Sequence, residues 1–231
     1  MAALSPLAPS TFTLAAAAAG VAKLVDPPRL ILGSQSGSRC AILSAALGAA
    51  AFDILVPAID EKAIGDRLSD SPRELVKAIA IAKSDALVAR LAAWPSAGSP
   101  RPLGKILLTC DQVVVYKDTI REKPADLDEA RRFIESYSVA PCGTVGGYCV
   151  HDLDSGRRAV GVDVTHIHFD PLPGPVVTEV LGCPEIVHCA GALMIEHPAL
   201  QPHIAHVEGG LDAVMGLSIP TVQRLLEELS L

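Results

Sequence analysis

An aspartate stands where an apolar strand ought to continue. Lys105-Ile-Leu-Leu-Thr-Cys110 and Val113-Val-Val-Tyr116 both read as β runs, and Asp111-Gln112 lies between them. A carboxylate in that setting is costly to bury without a partner or a task, so Asp111 is the chain's best catalytic candidate. A turn at Lys117-Asp118 brings the chain back to Glu122-Lys123-Pro124 and places Lys123 near the end of the Asp111 strand. A second chemical stretch is Leu30-Ile-Leu-Gly-Ser34-Gln-Ser36-Gly37-Ser38-Arg39. An apolar run breaks there at glycine and hydroxyl residues, and a helical pattern to Gly48 follows with an arginine in its first turn. Helix N-terminal N–H groups, the hydroxyls of Ser34, Ser36 and Ser38, and the guanidinium of Arg39 together make an anion cradle. The same residues also fit an ordinary strand-to-helix loop with a serine cap and an exposed arginine. The stretch is neither a P-loop nor a dinucleotide fingerprint.

Two further groups keep alternative readings open. Asp60-Glu61 follows the strand-like Phe52-Asp-Ile-Leu-Val56, and is either solvated loop charge or a pair of hard ligands for a divalent cation. Ser71-Pro72-Arg73-Glu74 starts a helix running to about Ala93, with Leu75, Ile79, Ala82 and Ala86 on one stripe and Val76, Ala80, Lys83 and Leu87 on the next. Lys83 is thus flanked by apolar residues, and either snorkels to the surface or points into a cleft.

The elements that must hold these groups alternate. After the loop from Trp94 to Lys105 and the Asp111 strands comes a helix capped by Asp126, with Ala130, Phe133, Ile134 and Tyr137 inward. From Gly143 the pattern turns to β: Tyr148 to Leu153, a turn at Asp154-Ser-Gly156, then Ala159 to Phe169. A short helix over Pro173–Leu181, a strand near His206-Val-Glu208 and an amphipathic helix over Thr221–Leu229 complete the chain. No internal repeat and no separating linker is present. His166 and His168 share a strand face, which suits a polar surface strand better than a metal pair.

Composition sets bounds. The 231 residues suffice for one large α/β domain or two small lobes, and at 50% hydrophobic but 3% aromatic the core is built largely from Ala, Val, Leu and Ile. A formal net charge of −7 argues against a general nucleic-acid-binding surface, so an anionic substrate needs a local basic pocket. The six cysteines show no C-x-x-C pair and read as reduced thiols, which points to the cytoplasm. Residues 1–28 form a low-complexity extension without a basic n-region or a run long enough to span a membrane.

In order and spacing, these stretches resemble the Maf-like nucleotide pyrophosphatases, first known as septum-formation inhibitors. The resemblance runs from about Arg29 to Leu229 and rests on Ser34 to Arg39, Asp60-Glu61, the Ser71-Pro72 helix with Lys83, Asp111-Gln112-Val113-Val114, Lys123-Pro124, Ala190-Gly191, Glu208-Gly209 and Gly216 to Pro220. It divides the chain into the 1–28 extension and a 29–231 catalytic domain. It implies an α/β fold with a mixed, curved central sheet flanked by helices, two lobes around a cleft, similar to inosine triphosphate pyrophosphatases. It implies cleavage of nucleoside triphosphates between the α and β phosphates with a divalent cation, usually Mg²⁺ and alternatively Mn²⁺. By position, Asp111 is the implied proton acceptor; Arg39, Lys83 and Lys123, with Ser34 and Ser36, meet phosphates; Glu61 and Asp111 meet the metal.

One family branch acts on pyrimidine nucleotides and another on 7-methyl-GTP. This chain resembles the second more closely, through Asp111-Gln112, the run His188 to Gly191, and Glu196. A carboxylate at Glu196 suits a cationic N7-methylated guanine. Gly37 and Ser38 depart from the family pattern: Ser38 stands where that branch has tryptophan, which removes one base-stacking platform. The implied substrates are modified or non-canonical nucleotides such as 7-methyl-GTP, with UTP as a further one. Ser38, Gln112 and Glu196 are therefore the implied specificity residues. The resemblance implies a nucleoside triphosphate partner, no nucleic acid, no membrane, and homodimers as in related proteins. The alternative it leaves is a nucleotide-binding regulator of cell division or septum formation with little turnover.

Overall fold

The computed structural model describes residues 29–47, 52–67, 69–95 and 100–230. The 1–28 extension, Gly48 as a helix end and the 96–99 part of the Trp94–Lys105 loop lie outside the described residues.

The strands are β1 (Leu30–Gly33), β2 (Phe52–Ile54), β3 (Ile106–Tyr116), β4 (Thr119–Arg121), β5 (Cys142–Asp152), β6 (Arg158–Phe169) and β7 (Ile204–Glu208). The helices are α1 (Gly37–Leu47), α2 (Pro72–Ala92), α3 (Leu127–Ser136), α4 (Gly174–Leu181), α5 (Leu211–Val214) and α6 (Ile219–Glu228). Short 3₁₀ turns lie at Glu61–Ala63, Pro184–His188, Ala190–Ala192 and Gln201–His203. Among the described residues the strands form one seven-stranded mixed sheet in the order β2-β1-β3-β5-β6-β7, with β4 also on β3. β1 is parallel to β2 and β3, while β3, β5, β6 and β7 run antiparallel in turn.

The sheet corrects one sequence expectation. Asp111-Gln112 does not separate two strands; β3 runs through it and pairs with β5 without a break from Ile106↔Asp152 to Val115↔Gly143. Its other edge is shared. β1 takes Ile106 to Thr109, and β4 takes Val114 to Tyr116 after a tight turn in which Lys117 (φ 47) and Asp118 (φ 64) are left-handed, the backbone twist that suits a two-residue hairpin. Cys110 to Val113 therefore have no strand on that side, and the opening faces the end of β1 and the start of α1.

Core packing places helices over both sheet faces. α1 and α6 cover one face through Leu30, Leu32, Ile42, Leu43, Leu108, Tyr148, Val222 and Leu225. α2 covers the other through Leu75, Val76, Ile79, Leu87 and Leu91. Burying each of these large apolar side chains favours the fold by roughly 1.5–3 kcal/mol, enough to seat the helix. α2 begins with the expected capping box, Ser71 Oγ accepting from Glu74 N and Glu74 Oε2 accepting from Ser71 N. The stripe of Val76, Ala80, Lys83 and Leu87 is fully buried, whereas Ala82 and Ala86 are only partly so. Gly147, the register partner of Asp111, lets α2 come this close: a Cβ there would lie 2.5 Å from the Val76 carbonyl group. A smaller lobe forms from α3, α4 and the 3₁₀ turns around Ala130, Ile134, Val177, Val180, Ile186 and Met194. No helix among the described residues is long and apolar enough to cross a membrane.

Candidate active site

The open stretch of β3 looks into a cleft of about 1500 Å³. Successive strand residues point to opposite faces, so Asp111 turns toward α2 while Gln112 turns toward α5 and Gly216. Both line the cleft because the missing neighbour strand leaves the edge accessible from either face.

Lys83 reaches Asp111 from α2. Its Nζ lies 2.9 Å from Asp111 Oδ1, 3.1 Å from Glu61 Oε1 and 3.4 Å from Cys110 O. The lysine is 5% exposed and the aspartate 8%, which rules out snorkelling. An unpaired ammonium buried this deeply would cost several kcal/mol, and the two carboxylates offset that cost. The trio carries a formal charge of −1, which favours a further cation. Its ammonium donors are all directed at protein oxygens, so in this state Lys83 organises the two carboxylates rather than standing free for a phosphate. Lys83 meets the Oδ1 oxygen of Asp111, and among the described residues Oδ2 accepts no hydrogen bond. Asp60 takes no part: its Oδ1 accepts from Lys62 N and caps the 3₁₀ turn that carries Glu61.

The serine stretch forms the neighbouring wall. Ser34 Oγ accepts from Ser36 N at 3.1 Å and Ser36 Oγ from Arg39 N at 3.4 Å, so each hydroxyl keeps its proton for a ligand. No acidic residue occupies the first turn of α1, which leaves its positive end uncompensated. Arg39 is not exposed as an ordinary loop arginine would be. It turns inward, Nε donating to Gly216 O at 2.9 Å and Nη1 to Cys110 O at 3.2 Å, and Nη2 has no acceptor among the described residues. Arg39 and Lys83 thus share the Cys110 carbonyl on the open edge of β3.

The smaller lobe supplies the far wall with Lys123, Glu185, His188, Cys189 and Glu196. Lys123 is exposed and has no ion pair among the described residues, so its ammonium is available to a ligand. Burial raises the Glu196 carboxyl above the ordinary glutamate value, and pushes the Cys189 thiol up to about 12. Ser38 lies on the rim beside Arg39. Gln112 Nε2 donates to Ala213 O at 2.7 Å, so its carbonyl oxygen is what remains for a ligand.

All the residues singled out from sequence, Ser34, Ser36, Ser38, Arg39, Glu61, Lys83, Asp111, Gln112, Lys123 and Glu196, line this cleft. His166 and His168 lie outside it and meet Glu208 at 3.6 and 3.0 Å, as a polar surface strand does. The six cysteines are free thiols. Lys62 and Met215 also line the cleft, as does His188 from the run His188 to Gly191, and Arg67 braces its edge; no local pattern marks Lys62, Met215 or Arg67. Their signal is long-range contact, which one sequence does not display.

Among curated proteins, a 7-methyl-GTP pyrophosphatase of Dictyostelium discoideum is 30% identical over 87% of this chain and 97% of its own length. A nucleoside triphosphate pyrophosphatase of Salinispora tropica is 33% identical over 89% of this chain and 85% of its own, and one from Streptomyces coelicolor is 30% identical over 87% and 90%. A solved nucleoside-triphosphatase / dITP/XTP pyrophosphatase of Mycobacterium abscessus is similar at a TM-score of 0.37 and 10% identity, covering 63% of this chain and 76% of that one, a likeness too distant to bear on the reaction. The family model described as Maf-like protein matches residues 29–229, and the chain belongs to that family.

Proposed function

We propose that the chain is a nucleoside triphosphate pyrophosphatase, with residues 29–231 as its catalytic domain and 1–28 as an extension. The observation that carries this reading is the Glu61–Lys83–Asp111 line, set beside the Ser34–Arg39 wall in one cleft. The names of the similar proteins support the reaction class.

Asp111 Oδ1 is fixed by Lys83, which leaves Oδ2 to take a proton from water. That water's oxygen attacks the α-phosphorus, the bond from phosphorus to the α–β bridging oxygen breaks, and pyrophosphate leaves with the electron pair. Ser34, Ser36, Arg39 Nη2 and Lys123 donate to phosphate oxygens as charge builds on them. Lys83 holds Asp111 in place, and meets a phosphate oxygen when a carboxylate turns to another ligand.

A divalent cation fits these residues. No three His, Cys, Asp or Glu side chains among the described residues gather closely enough to hold one alone. Mg²⁺ is commonly bound by one or two carboxylates together with substrate phosphates and water, and Glu61 and Asp111 converge from two sides with a net negative charge. When bound, Mg²⁺ or Mn²⁺ would neutralise charge on the triphosphate and its leaving group.

Within the cleft, Ser38, Gln112 and Glu196 are the specificity residues. The partly buried Glu196 carboxyl favours a base with ring N–H donors and positive charge, such as 7-methyl-GTP, with UTP as a second substrate. The free thiols suit a reducing compartment such as the cytoplasm. The test is pyrophosphate release over a nucleotide panel with Mg²⁺, with products identified. Monophosphate and pyrophosphate are expected; diphosphate and inorganic phosphate, or no turnover, would reject this function.

A further inference from the structure

Arg67 lies between the Glu61–Ala63 turn and α2, and its guanidinium gathers acceptors from two walls of the cleft. Nη2 donates to Glu61 O at 2.9 Å and to Glu122 Oε1 at 3.2 Å; Nη1 donates to Lys62 O at 3.3 Å and to Ile64 O. Nε is buried without an acceptor, so the side chain's whole hydrogen bonding runs through these terminal nitrogens. Three of the acceptors are backbone carbonyls of the turn that carries Glu61 and of Ile64 directly after it. The fourth acceptor is the side chain directly before Lys123, whose backbone is itself anchored by Gly191 N donating to Glu122 O at 2.8 Å.

Little else holds that turn. None of its residues is buried, and among the described residues apolar packing enters through Ile64 after it, which is partly buried against the α2 cluster. Asp60 caps its start. Glu61 is half exposed, yet its carboxylate is 3.1 Å from the buried Lys83. A free half-exposed glutamate would lose rotamer entropy on holding that contact, and a loose turn would add backbone entropy to the cost. Fixing the turn removes most of the second cost.

We propose that Arg67 is a positioning residue of the site: it ties the Glu61 turn to Glu122 and thereby holds the Glu61 carboxylate against Lys83. The proposal rests on the reading of Glu61 as a working residue, and extends it to a side chain that touches neither substrate nor reacting atoms. Glu61 shares Lys83 with Asp111, so loosening the turn changes the carboxylate geometry offered to a cation more than it changes the nucleotide wall at Ser34 to Arg39.

The test uses the full chain as wild type, Arg67→Ala, Arg67→Lys, Glu61→Ala and the Arg67→Ala/Glu61→Ala double variant. Hydrogen exchange of the amides from Glu61 to Ile64 should accelerate about tenfold or more in Arg67→Ala while the β3 amides stay protected, because only a local opening is released. The Mg²⁺ concentration for half-maximal pyrophosphate release should rise roughly tenfold, as expected when a residue that orients a ligand is removed. The double variant should match Glu61→Ala within about twofold in kcat/KM, since residues acting through one another are not additive. Arg67→Lys should recover part of both effects, because an ammonium reaches fewer of the acceptors than the planar fork. Unchanged exchange from Glu61 to Ile64, or losses that multiply in the double variant, would overturn the proposal. If wild type turns over no nucleotide, the pyrophosphatase reading falls and the exchange result alone decides the role of Arg67. If Arg67→Ala also loosens β3, Arg67→Lys replaces it under the same criteria.

Discussion

Lys83 Nζ stands 2.9 Å from Asp111 Oδ1, both residues nearly inaccessible to water, at the one stretch of β3 that no strand covers on its outer edge. The pair is therefore held by two different elements, the buried stripe of α2 and the central strand of the sheet. Neither side chain can move without disturbing the core, and this rigidity is what a proton-accepting carboxylate requires.

Asp111→Asn keeps the shape and loses the basic oxygen. Its amide oxygen still accepts from Lys83, and Glu61 still supplies a counter-charge, so the fold should persist. Turnover should fall at least ~100-fold with nucleotide binding largely retained, the usual cost of losing a general base. A folded mutant with near-wild-type turnover would remove Asp111 from the mechanism.

Lys83→Met should injure stability as well as turnover. The substitution preserves bulk but leaves Asp111 buried without its cation, a loss of about 3–5 kcal/mol for breaking a buried pair, discounted because Glu61 is half exposed and can turn to solvent. Urea unfolding should show this loss for Lys83→Met and a much smaller one for Glu61→Ala. Equal stability of the two variants would mean that Lys83 and Asp111 are not coupled as the distance indicates.

Arg39→Ala and Lys123→Ala should both weaken triphosphate binding or turnover far more than binding of the free nucleoside. They should differ in stability. Arg39 holds the Gly216 and Cys110 carbonyls, whereas Lys123 has no ion pair among the described residues, so Lys123→Ala should stay within about 0.5 kcal/mol of wild type. Equal losses for triphosphate and nucleoside would point instead to a general folding defect.

Gly216→Ala tests the Arg39 anchor from the other side. Gly216 has φ +107, and a Cβ there would lie 3.1 Å from Arg39 Nε. The backbone strain costs about 1–3 kcal/mol, and relieving the contact moves the guanidinium. KM for triphosphate should therefore rise alongside the drop in stability. A rise in neither would show that the Gly216 segment does not position Arg39.

Much of this site could be read in the sequence because its parts sit at element ends with local signatures: the capping box before Lys83, the glycine and serine break before Arg39, the aspartate among β residues. Three things could not be read. β3 is continuous at Asp111 because its partner β5 satisfies the backbone there, a long-range pairing that the local polar interruption conceals. Lys83 faces the cleft because α2 meets the sheet at Gly147, and a stripe pattern alone does not separate a buried lysine from a snorkelling one. Arg67 carries no motif at all; its acceptors come from two segments, and one of them lies on the far side of the sequence gap to Glu122.

Specificity offers a test with a pH axis. Glu196 lines the cleft, and burial raises its carboxyl above the ordinary glutamate value, opposed only by its own backbone N–H. In the folded state the acid therefore stays neutral over a wider acid range than an exposed glutamate. The sign follows: below its folded pKa Glu196 is an uncharged donor and acceptor, and above it a carboxylate that attracts the positive charge of a 7-methyl base. The ratio of kcat/KM for 7-methyl-GTP to that for UTP should thus rise with pH through that window and then level off. Glu196→Gln should flatten the profile and hold the ratio near its low-pH level, with a group left unpaired against the base costing ~1–3 kcal/mol, or roughly tenfold or more in discrimination. Stability runs the other way. A carboxyl whose folded pKa is raised makes folding less favourable as pH climbs from the unfolded to the folded pKa, so Glu196→Gln should be relatively more stable than wild type at neutral pH than under acid. Gln112→Thr should also lower the ratio, and should loosen α5 as well, because Gln112 Nε2 holds Ala213 O. Measuring both substrates for wild type and the two variants across pH at one fixed Mg²⁺ concentration separates the cases. A wild type that prefers UTP, or a ratio that does not move with pH, would sink the 7-methyl-GTP assignment and leave the pyrophosphatase reading standing.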